Sequence, residues 1–209
     1  MIVPPASLVF VVDDDASVRK SLARLVRTAG YEAEAFATVS DFLDRPPQEG
    51  PACLLLDVRM PGRTGLDLQE ALRAAGRRLS IIFISGYGDV RASVKAMKGG
   101  AIDFLTKPLD EGALLTAIAQ AVARTLEEQR EQSRVTEVRN CITTLTPREA
   151  EVFALVVTGM LNKQIGAELG IAEKTVKVHR ARVMEKMRAG SLAQLVRLAG
   201  TGGMVAARF

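Results

Sequence analysis

Three carboxylates, one hydroxyl and one ammonium, distant in the chain, stand where they could handle phosphate. Asp13 and Asp14 follow the apolar run Leu8–Val12. Asp57 closes the run that begins at Ala52, and Arg59 lies two positions on. Ser85 closes the run Ser80–Ile84. Lys107 follows Ile102–Leu105 and precedes Pro108. Carboxylates gathered together repel and cannot all stay ionised without a cation. Oxygen donors with room for water suit Mg²⁺. A carboxylate beside such an ion can attack a phosphoryl group in line. The ion and an ammonium would neutralise charge on the equatorial oxygens. A hydroxyl such as Ser85 could then donate to the attached phosphate. Singly, each residue has a plainer reading. Asp13-Asp14-Asp15 reads as a solvated turn and helix cap. Asp57 reads as a loop cap, Ser85 as a turn residue before Gly86, and Lys107 as a solvated lysine. It is the joint placement at sequence-distant strand ends that favours phosphate chemistry.

The elements that must position these groups are legible. Leu8–Val12, Tyr31–Phe36, Ala52–Leu56, Ser80–Ile84 and Ile102–Leu105 alternate with amphipathic segments. LVFVV, CLLL and IIFI are continuously apolar, as strands covered on both faces are. The intervening helices are expected near Ser17–Ala29, Ser40–Arg45, Gly65–Ala75 and Asp89–Lys98, with a fifth from Asp110. Five such units predict an α/β doubly wound, five-stranded parallel sheet of flavodoxin-like order 2-1-3-4-5, with its site at the strand carboxyl ends. The fifth helix turns polar at Glu127–Gln132, so it reads as a helix outlasting its core to become a solvated linker. A coiled-coil stalk is the alternative, but apolar spacing lapses after Leu126. Val90, Val94 and Met97 either pack on the sheet or present an apolar face for dimerisation.

Beyond Thr144 the pattern is all helical. Thr146-Pro147-Arg148-Glu149 reads as N-cap, first-turn Pro and capping-box Glu. Asn162 is expected to cap a helix Lys163–Leu169, and Gly170 to form a tight turn. A helix Glu173–Met187 follows, and Ser191 caps Leu192–Ala199. The chain thus divides into a domain over 1–123, a helical linker over 124–144, and a small all-α, four-helix, helix-turn-helix domain over 145–209.

Of 209 residues, 48% are hydrophobic and 4% aromatic, so the cores are aliphatic. Residues 1–123 carry net charge −1 and residues 124–209 carry +5. Only the second part is expected to meet a polyanion. Cys53 and Cys141 fit no disulfide or zinc pattern. The first residues, with Pro4 and Pro5, do not read as a signal peptide. No apolar run reaches the roughly 18 residues of a membrane span. A reduced, cytoplasmic setting without membrane contact is expected. In the helix after Gly170, Lys174, Lys177, Val178, Ala181 and Arg182 share a face at 3.6 residues per turn, and Val176, Val183 and Met187 point away toward a core. Helix-turn-helix motifs seat that second helix in the major groove. His179, the only histidine, lacks a nucleophile pattern around it. A packed or phosphate-contacting imidazole fits better than a catalytic base.

VFVVDDD, LLLDVRMPG, IFISGYGDV and AIDFLTKP, in this order, resemble the receiver domains of two-component response regulators over about Leu8–Val122. The resemblance implies that Asp57 is phosphorylated by a sensor histidine kinase. It implies that Asp13, Asp14, Asp57 and the carbonyl of Arg59 hold Mg²⁺, and that Lys107, before a commonly cis proline, contacts the phosphoryl group. Ser85 matches the switch hydroxyl and Phe104 the rotating aromatic, although by pattern alone Phe104 is a core residue. Arg59 and Tyr87 border the attacking water's route. A population shift of this kind needs roughly 5 kcal/mol of differential stabilisation. Leu145–Ala199 resembles the LuxR-type output domain of FixJ/NarL response regulators, with NKQIG, TVKVHR and SLAQLVRLA nearest the FixJ branch. It implies that Lys177 and Val178 face bases, beside Thr175. Ala181 stands where relatives carry a longer basic residue. Lys163, Lys174 and Arg182 suit phosphate contacts. The implied partners are the kinase, double-stranded promoter DNA, RNA polymerase and, when phosphorylated, a second copy meeting through Leu192–Ala199 or the receiver. The implied role is a transcription activator that is no enzyme beyond its own phosphoryl transfer and dephosphorylation. An aspartate-nucleophile phosphatase would want a second carboxylate two positions after Asp57, where Arg59 stands. A degenerate receiver sensing a small ligand is disfavoured by the intact Asp13, Asp14, Asp57 and Lys107 set.

Overall fold

The structure is a computed structural model, described for residues 7–48, 50–77, 79–86 and 90–203. Tyr87, Asp89 and the residues before Ser7 lie outside that set. The chain separates into two compact units, residues 1–129 and 130–209. That division falls inside the stretch 124–144 read from the sequence as a linker.

The first unit is a five-stranded parallel sheet in the order β2-β1-β3-β4-β5. Its strands are β1 (Leu8–Val12), β2 (Glu32–Phe36), β3 (Ala52–Asp57), β4 (Ser80–Ser85) and β5 (Asp103–Thr106). The helices between them are α1 (Ala16–Thr28), α2 (Val39–Asp44), α3 (Gly65–Ala74) and α4 (Val90–Lys98), and α5 (Glu111–Thr143) follows β5. Every residue of β1, β3 and β4 is buried. The continuous apolar runs follow from two cores, one per face. Phe10, Leu54 and Phe83 pack with Phe42, Leu68 and Ala96 on one side. Val9, Leu55 and Ile82 pack with Val26, Leu114 and Ile118 on the other. β2, at the sheet edge, is mostly exposed and correspondingly polar. β5 begins one residue later than the apolar run suggested, because Ile102 enters only through its N–H to Ile81 O at 2.8 Å.

Local chemistry sets the helix starts. Asp15 caps α1, its Oδ1 accepting from Ser17 N–H at 2.7 Å. Thr64 and Asp67 form a capping box on α3. On α4 the small Ala92 and Ala96 are buried, while Val90, Val94 and Met97 are 72%, 48% and 46% exposed. The packing alternative for those three residues is therefore overturned. The two alanines let the helix lie close to the sheet, which turns the bulkier face outward. At the foot of the sheet Thr125 Oγ1 donates to Ser80 Oγ at 2.9 Å, tying α5 to β4.

The second unit contains α6 (Pro147–Val156), α7 (Asn162–Leu169), α8 (Glu173–Lys186) and α9 (Leu192–Thr201). Phe153, Ile165, Val176, Val183 and Leu195 form its core. Val138, from the linker stretch, is also buried there. Cys141 and Ile142, three and four residues on, pack against the same core, so this end of the stretch is not the solvated linker that its polar start suggested. Asn162 does not cap α7. Leu161 holds the N-cap position and its N–H donates to Gln164 Oε1 at 2.8 Å, while Asn162 Oδ1 accepts from Arg180 Nη1 at 3.0 Å. Gly170 closes α7 at φ +66°, a left-handed conformation that favours glycine.

Glu149 is the charged lock of this unit. It is 2% exposed and serves the Thr146 capping box at the start of α6. Lys186 Nζ, at the end of α8, donates to Glu149 Oε2 at 2.6 Å and to Thr144 O at 3.0 Å. Lys186 and the cap draw the carboxyl down to about 2. A depressed pKa contributes stability above the unfolded value of about 4.3, and that contribution is lost as pH falls through the folded value. Glu149→Gln is therefore expected to speed hydrogen exchange in α6 by about an order of magnitude at neutral pH. It should also flatten its dependence on pH between about 4.3 and 2. Unchanged exchange would remove Glu149 from this role.

Candidate functional site

The strand carboxyl ends bring Asp13, Asp57, Ser85 and Lys107 to one rim. Pairing of Asp57 with Ile84, and of Ser85 with Thr106, sets β3, β4 and β5 level there. Lys107 Nζ lies 2.9 Å from Asp13 Oδ2 and 2.9 Å from Asp57 Oδ1. Its own N–H donates to Ser85 O at 2.7 Å, and the Lys107–Pro108 peptide is cis. Asp57 Oδ2 accepts from Arg59 N–H at 2.7 Å, and Asp13 Oδ1 from Asp15 N–H at 2.8 Å. Asp13, Asp57 and Ser85 are 2%, 7% and 2% exposed. Asp14 and Arg59 are exposed beside them. Phe104 is half-buried on β5 and stacks with Phe83, ring centroids 6.3 Å apart.

Gly65 escaped the sequence reading of this pocket. A Cβ there would stand 2.2 Å from Asp57 O, so only glycine lets α3 start directly beneath the aspartate. Its signal in the sequence was faint: a glycine at a helix start is unremarkable until the neighbouring backbone is known.

Burial raises the Asp57 pKa, opposed by Lys107 and Arg59 N–H and reinforced by Asp13. Burial also works against the Lys107 charge, but its hydrogen bonds to Asp57 and Asp13 prevail and its pKa is raised. Two nearly buried carboxylates thus share one ammonium. Among the described residues no three His, Cys, Asp or Glu side chains form a ready metal cluster. Asp13 and Asp57 converge on Lys107, while Asp14 stays at the surface. The donor chemistry nonetheless fits Mg²⁺: hard oxygen ligands, excess negative charge and an open side toward solvent.

In the second unit, Lys163 on α7 and Lys174, Thr175, Lys177, Val178, Ala181 and Arg182 on α8 are all exposed. Val176 and Val183 are fully buried and Met187 is 2% exposed, as the helical period requires. Lys177 Nζ pairs with Glu173 Oε1 at 3.2 Å across an exposed turn. Arg180 and Lys186, also basic, are instead engaged by Asn162 and Glu149. The helical period had already left both off the face shared by Lys174, Lys177 and Arg182, but it could not name their partners. His179 is partly buried, and its Nδ1 has no hydrogen-bond partner among the described residues. Nor, among those residues, is any helix long and apolar enough to cross a membrane.

Comparison with known proteins agrees with both units. Residues 9–119 match the response regulator receiver domain, and residues 143–199 match the luxR family of bacterial regulatory proteins. Nodulation protein W of Bradyrhizobium diazoefficiens is 46% identical over 200 residues, covering 96% of this chain and 88% of that protein. Transcriptional regulatory protein FixJ of Azorhizobium caulinodans is 42% identical over 204 residues, covering 97% of both. The solved structure of the response regulator StyR superposes with a TM-score of 0.85 at 47% identity, covering 93% of this chain and 98% of that one. A receiver sheet followed by a LuxR-type helical domain defines a DNA-binding transcription regulator. The chain belongs to the FixJ/NarL type of response regulators.

Proposed function

We propose that this regulator is switched by phosphorylation of Asp57. The observation that carries the reading is the Lys107 ammonium held 2.9 Å from both Asp57 and Asp13 at the rim of the sheet. A sensor histidine kinase supplies the phosphoryl group: an Asp57 carboxylate oxygen bonds to phosphorus as the bond to the donor histidine breaks. Asp13, Asp14, Asp57 and the Arg59 carbonyl would hold Mg²⁺, which when bound neutralises phosphoryl charge. Lys107 orients the same oxygens, and Ser85 donates to the attached phosphate. Phe104 follows Ser85 inward and changes the face of α4 and β5. The chain catalyses only its own phosphoryl uptake and loss, with Arg59 at the water's route.

The domains are proposed as receiver 1–123, helical linker 124–144 and DNA-binding domain 145–209, acting in the cytoplasm. The exposed Val90, Val94 and Met97 support a phosphorylation-dependent homodimer, with α9 as a second contact. The dimer reads paired half-sites of promoter DNA through Lys177, Val178 and Thr175, with Ala181 close by. Lys163, Lys174 and Arg182 engage phosphates, and bound dimers recruit RNA polymerase as activators.

The test is promoter binding with and without Mg²⁺ and acetyl phosphate. Phosphodonor should tighten binding and convert monomer to dimer by ultracentrifugation. Neutralising about six phosphates predicts a log–log salt slope near −5, roughly a thousandfold loss from 50 to 200 mM salt. Lys174→Ala should weaken all sequences alike and reduce the slope by about 1, whereas Lys177→Ala should relax specificity by about 1–3 kcal/mol at one position. Phosphodonor-independent binding or a flat salt response would sink the proposal.

A further inference from the structure

We propose that the amino-terminal edge of the sheet, remote from Asp57, carries a binding site for a nucleoside phosphate. A cavity of about 500 Å³ opens there between α3, α4, α5, the first residues of β4 and Ile102 just before β5. A smaller one of about 120 Å³ adjoins it, the two sharing Leu72, Arg77 and Leu79. The larger falls within the span of roughly 300–1,000 Å³ common to small-molecule sites.

The lining has two characters. Leu72, Leu79, Ile81 and Ile102 supply apolar surface for a planar base. Arg73, Arg77 and Arg124 contribute three guanidiniums, against Glu128 as the one carboxylate among the described lining residues. Guanidiniums present forked donors that match phosphate oxygens. Two of the three are held only by exposed helix pairs: Arg124–Glu128 at 3.0 Å and Arg73–Glu70 at 3.8 Å. Such pairs contribute little, so their arginines can exchange a carboxylate for a phosphate at small cost.

Arg45, which lines the smaller cavity, adds a fourth guanidinium to this edge. Its guanidinium lies 3.7 Å from the Phe10 ring centroid and 4.6 Å from that of Phe42. Its Nε is buried and has no hydrogen-bond partner among the described residues. Burial lowers its pKa, with Glu34 opposing. Its Nη1 donates to Pro46 O at 2.9 Å, so the guanidinium is held in place beside the cavity.

The walls suit the other end of such a ligand. Gly76 and Gly99–Gly100, at the carboxyl ends of α3 and α4, line the cavity. The partial negative charge at two helix carboxyl ends disfavours an anion on that side and suits the uncharged base. Gln69 spans the gap between the helices, its Nε2 donating to Ala96 O at 3.0 Å. A Cβ on Gly99 would press on the Gln69 amide and displace it from this wall. The arginines and the helix carboxyl ends together seat the phosphates by Arg77 and Arg124 and the base by Gly99.

Isothermal titration of the full chain, without Mg²⁺, tests this with ADP, pyrophosphate and adenosine. ADP is expected to saturate one site with a Kd of about 10–100 µM, on the order of −6 kcal/mol. Pyrophosphate should bind at least about tenfold more weakly, and adenosine more weakly still. The double variant Arg77→Gln, Arg124→Gln should lose about tenfold or more in ADP affinity, while labelling of Asp57 by acetyl phosphate is unchanged. Lys174→Ala should retain full ADP affinity, which separates this site from the basic surface of α8. If circular dichroism shows the double variant misfolded, the exposed single variant Arg124→Gln and ADP-induced methyl shifts at Ile81 and Ile102 decide. The proposal is overturned by no saturable ADP binding, by pyrophosphate binding as tightly as ADP, or by affinity that depends on Lys174 and not on Arg77 and Arg124.

Discussion

Asp57→Asn is expected to abolish phosphoryl uptake from acetyl phosphate and Mg²⁺ and, at the same time, to make the protein more heat-stable. The first effect follows from chemistry. The amide lacks the nucleophilic carboxylate oxygen, and no neighbour replaces it: Asp13 is bridged by Lys107, and Asp14 lies at the surface. Intact mass should show a single phosphoryl increment on the parent chain and none on the variant. The second effect follows from burial. Asp57 is 7% exposed and its pKa is raised, by desolvation above all. For a carboxyl whose folded pKa exceeds its unfolded value, the favourable contribution is complete below the unfolded value and is lost as pH rises through the folded one. At neutral pH the ionised Asp57 therefore costs stability, and asparagine removes that cost. Each 1 kcal/mol is worth roughly 2–4 °C in a chain of this size class. A rise in Tm of that order at pH 7, shrinking toward pH 4, is expected. A labelled Asp57→Asn chain would refute the assignment of the acceptor, and a lowered Tm would refute the burial account.

Lys107→Met should act in the opposite sense on stability. It removes the ammonium shared by two carboxylates and keeps most of the side-chain volume. Asp13 and Asp57 then face each other with no cation between them, which drives the apparent pKa of the pair upward. Stability at pH 7 should fall by roughly 1–3 kcal/mol, held below the cost of a fully buried break because the Lys107 side chain is 32% exposed. The deficit should close as pH drops and the pair takes up a proton, and Mg²⁺ should narrow it at constant pH. Labelling by acetyl phosphate should slow by about 10²–10³-fold, the usual loss when one preorganised charge partner of a transition state is removed. Thermal melts across pH 5–8 and labelling time courses read both effects. Parent-like labelling, or a deficit that does not vary with pH, would count against Lys107 as the phosphoryl-binding cation.

Whatever depends on a few neighbouring residues could be read from the amino acids in order. The continuous apolar runs at β1, β3 and β4 required cover on both faces, and the helical stretches between them required a parallel sheet. Carboxylates, hydroxyl and lysine at the ends of those runs implied one rim, because parallel strands of similar length finish at the same edge. Capping at Thr146, and the period that buries Val176 and Val183, are likewise short-range effects of backbone geometry.

Choice of partner is not short-range, and there tertiary structure decided. Along α8 the helical period sets Arg180 and Lys186 apart from the face of Lys174 and Arg182, but it does not say what they meet. Only the fold brings Asn162 to the first and Glu149 to the second. Val90, Val94 and Met97 look as suited to a core as Ala92 and Ala96. Close contact with the sheet admits only the small residues and turns the others to solvent. Gly65 shows its purpose only when the Asp57 carbonyl arrives above it. In each case local chemistry leaves the outcome open, and packing between elements far apart in the chain selects it.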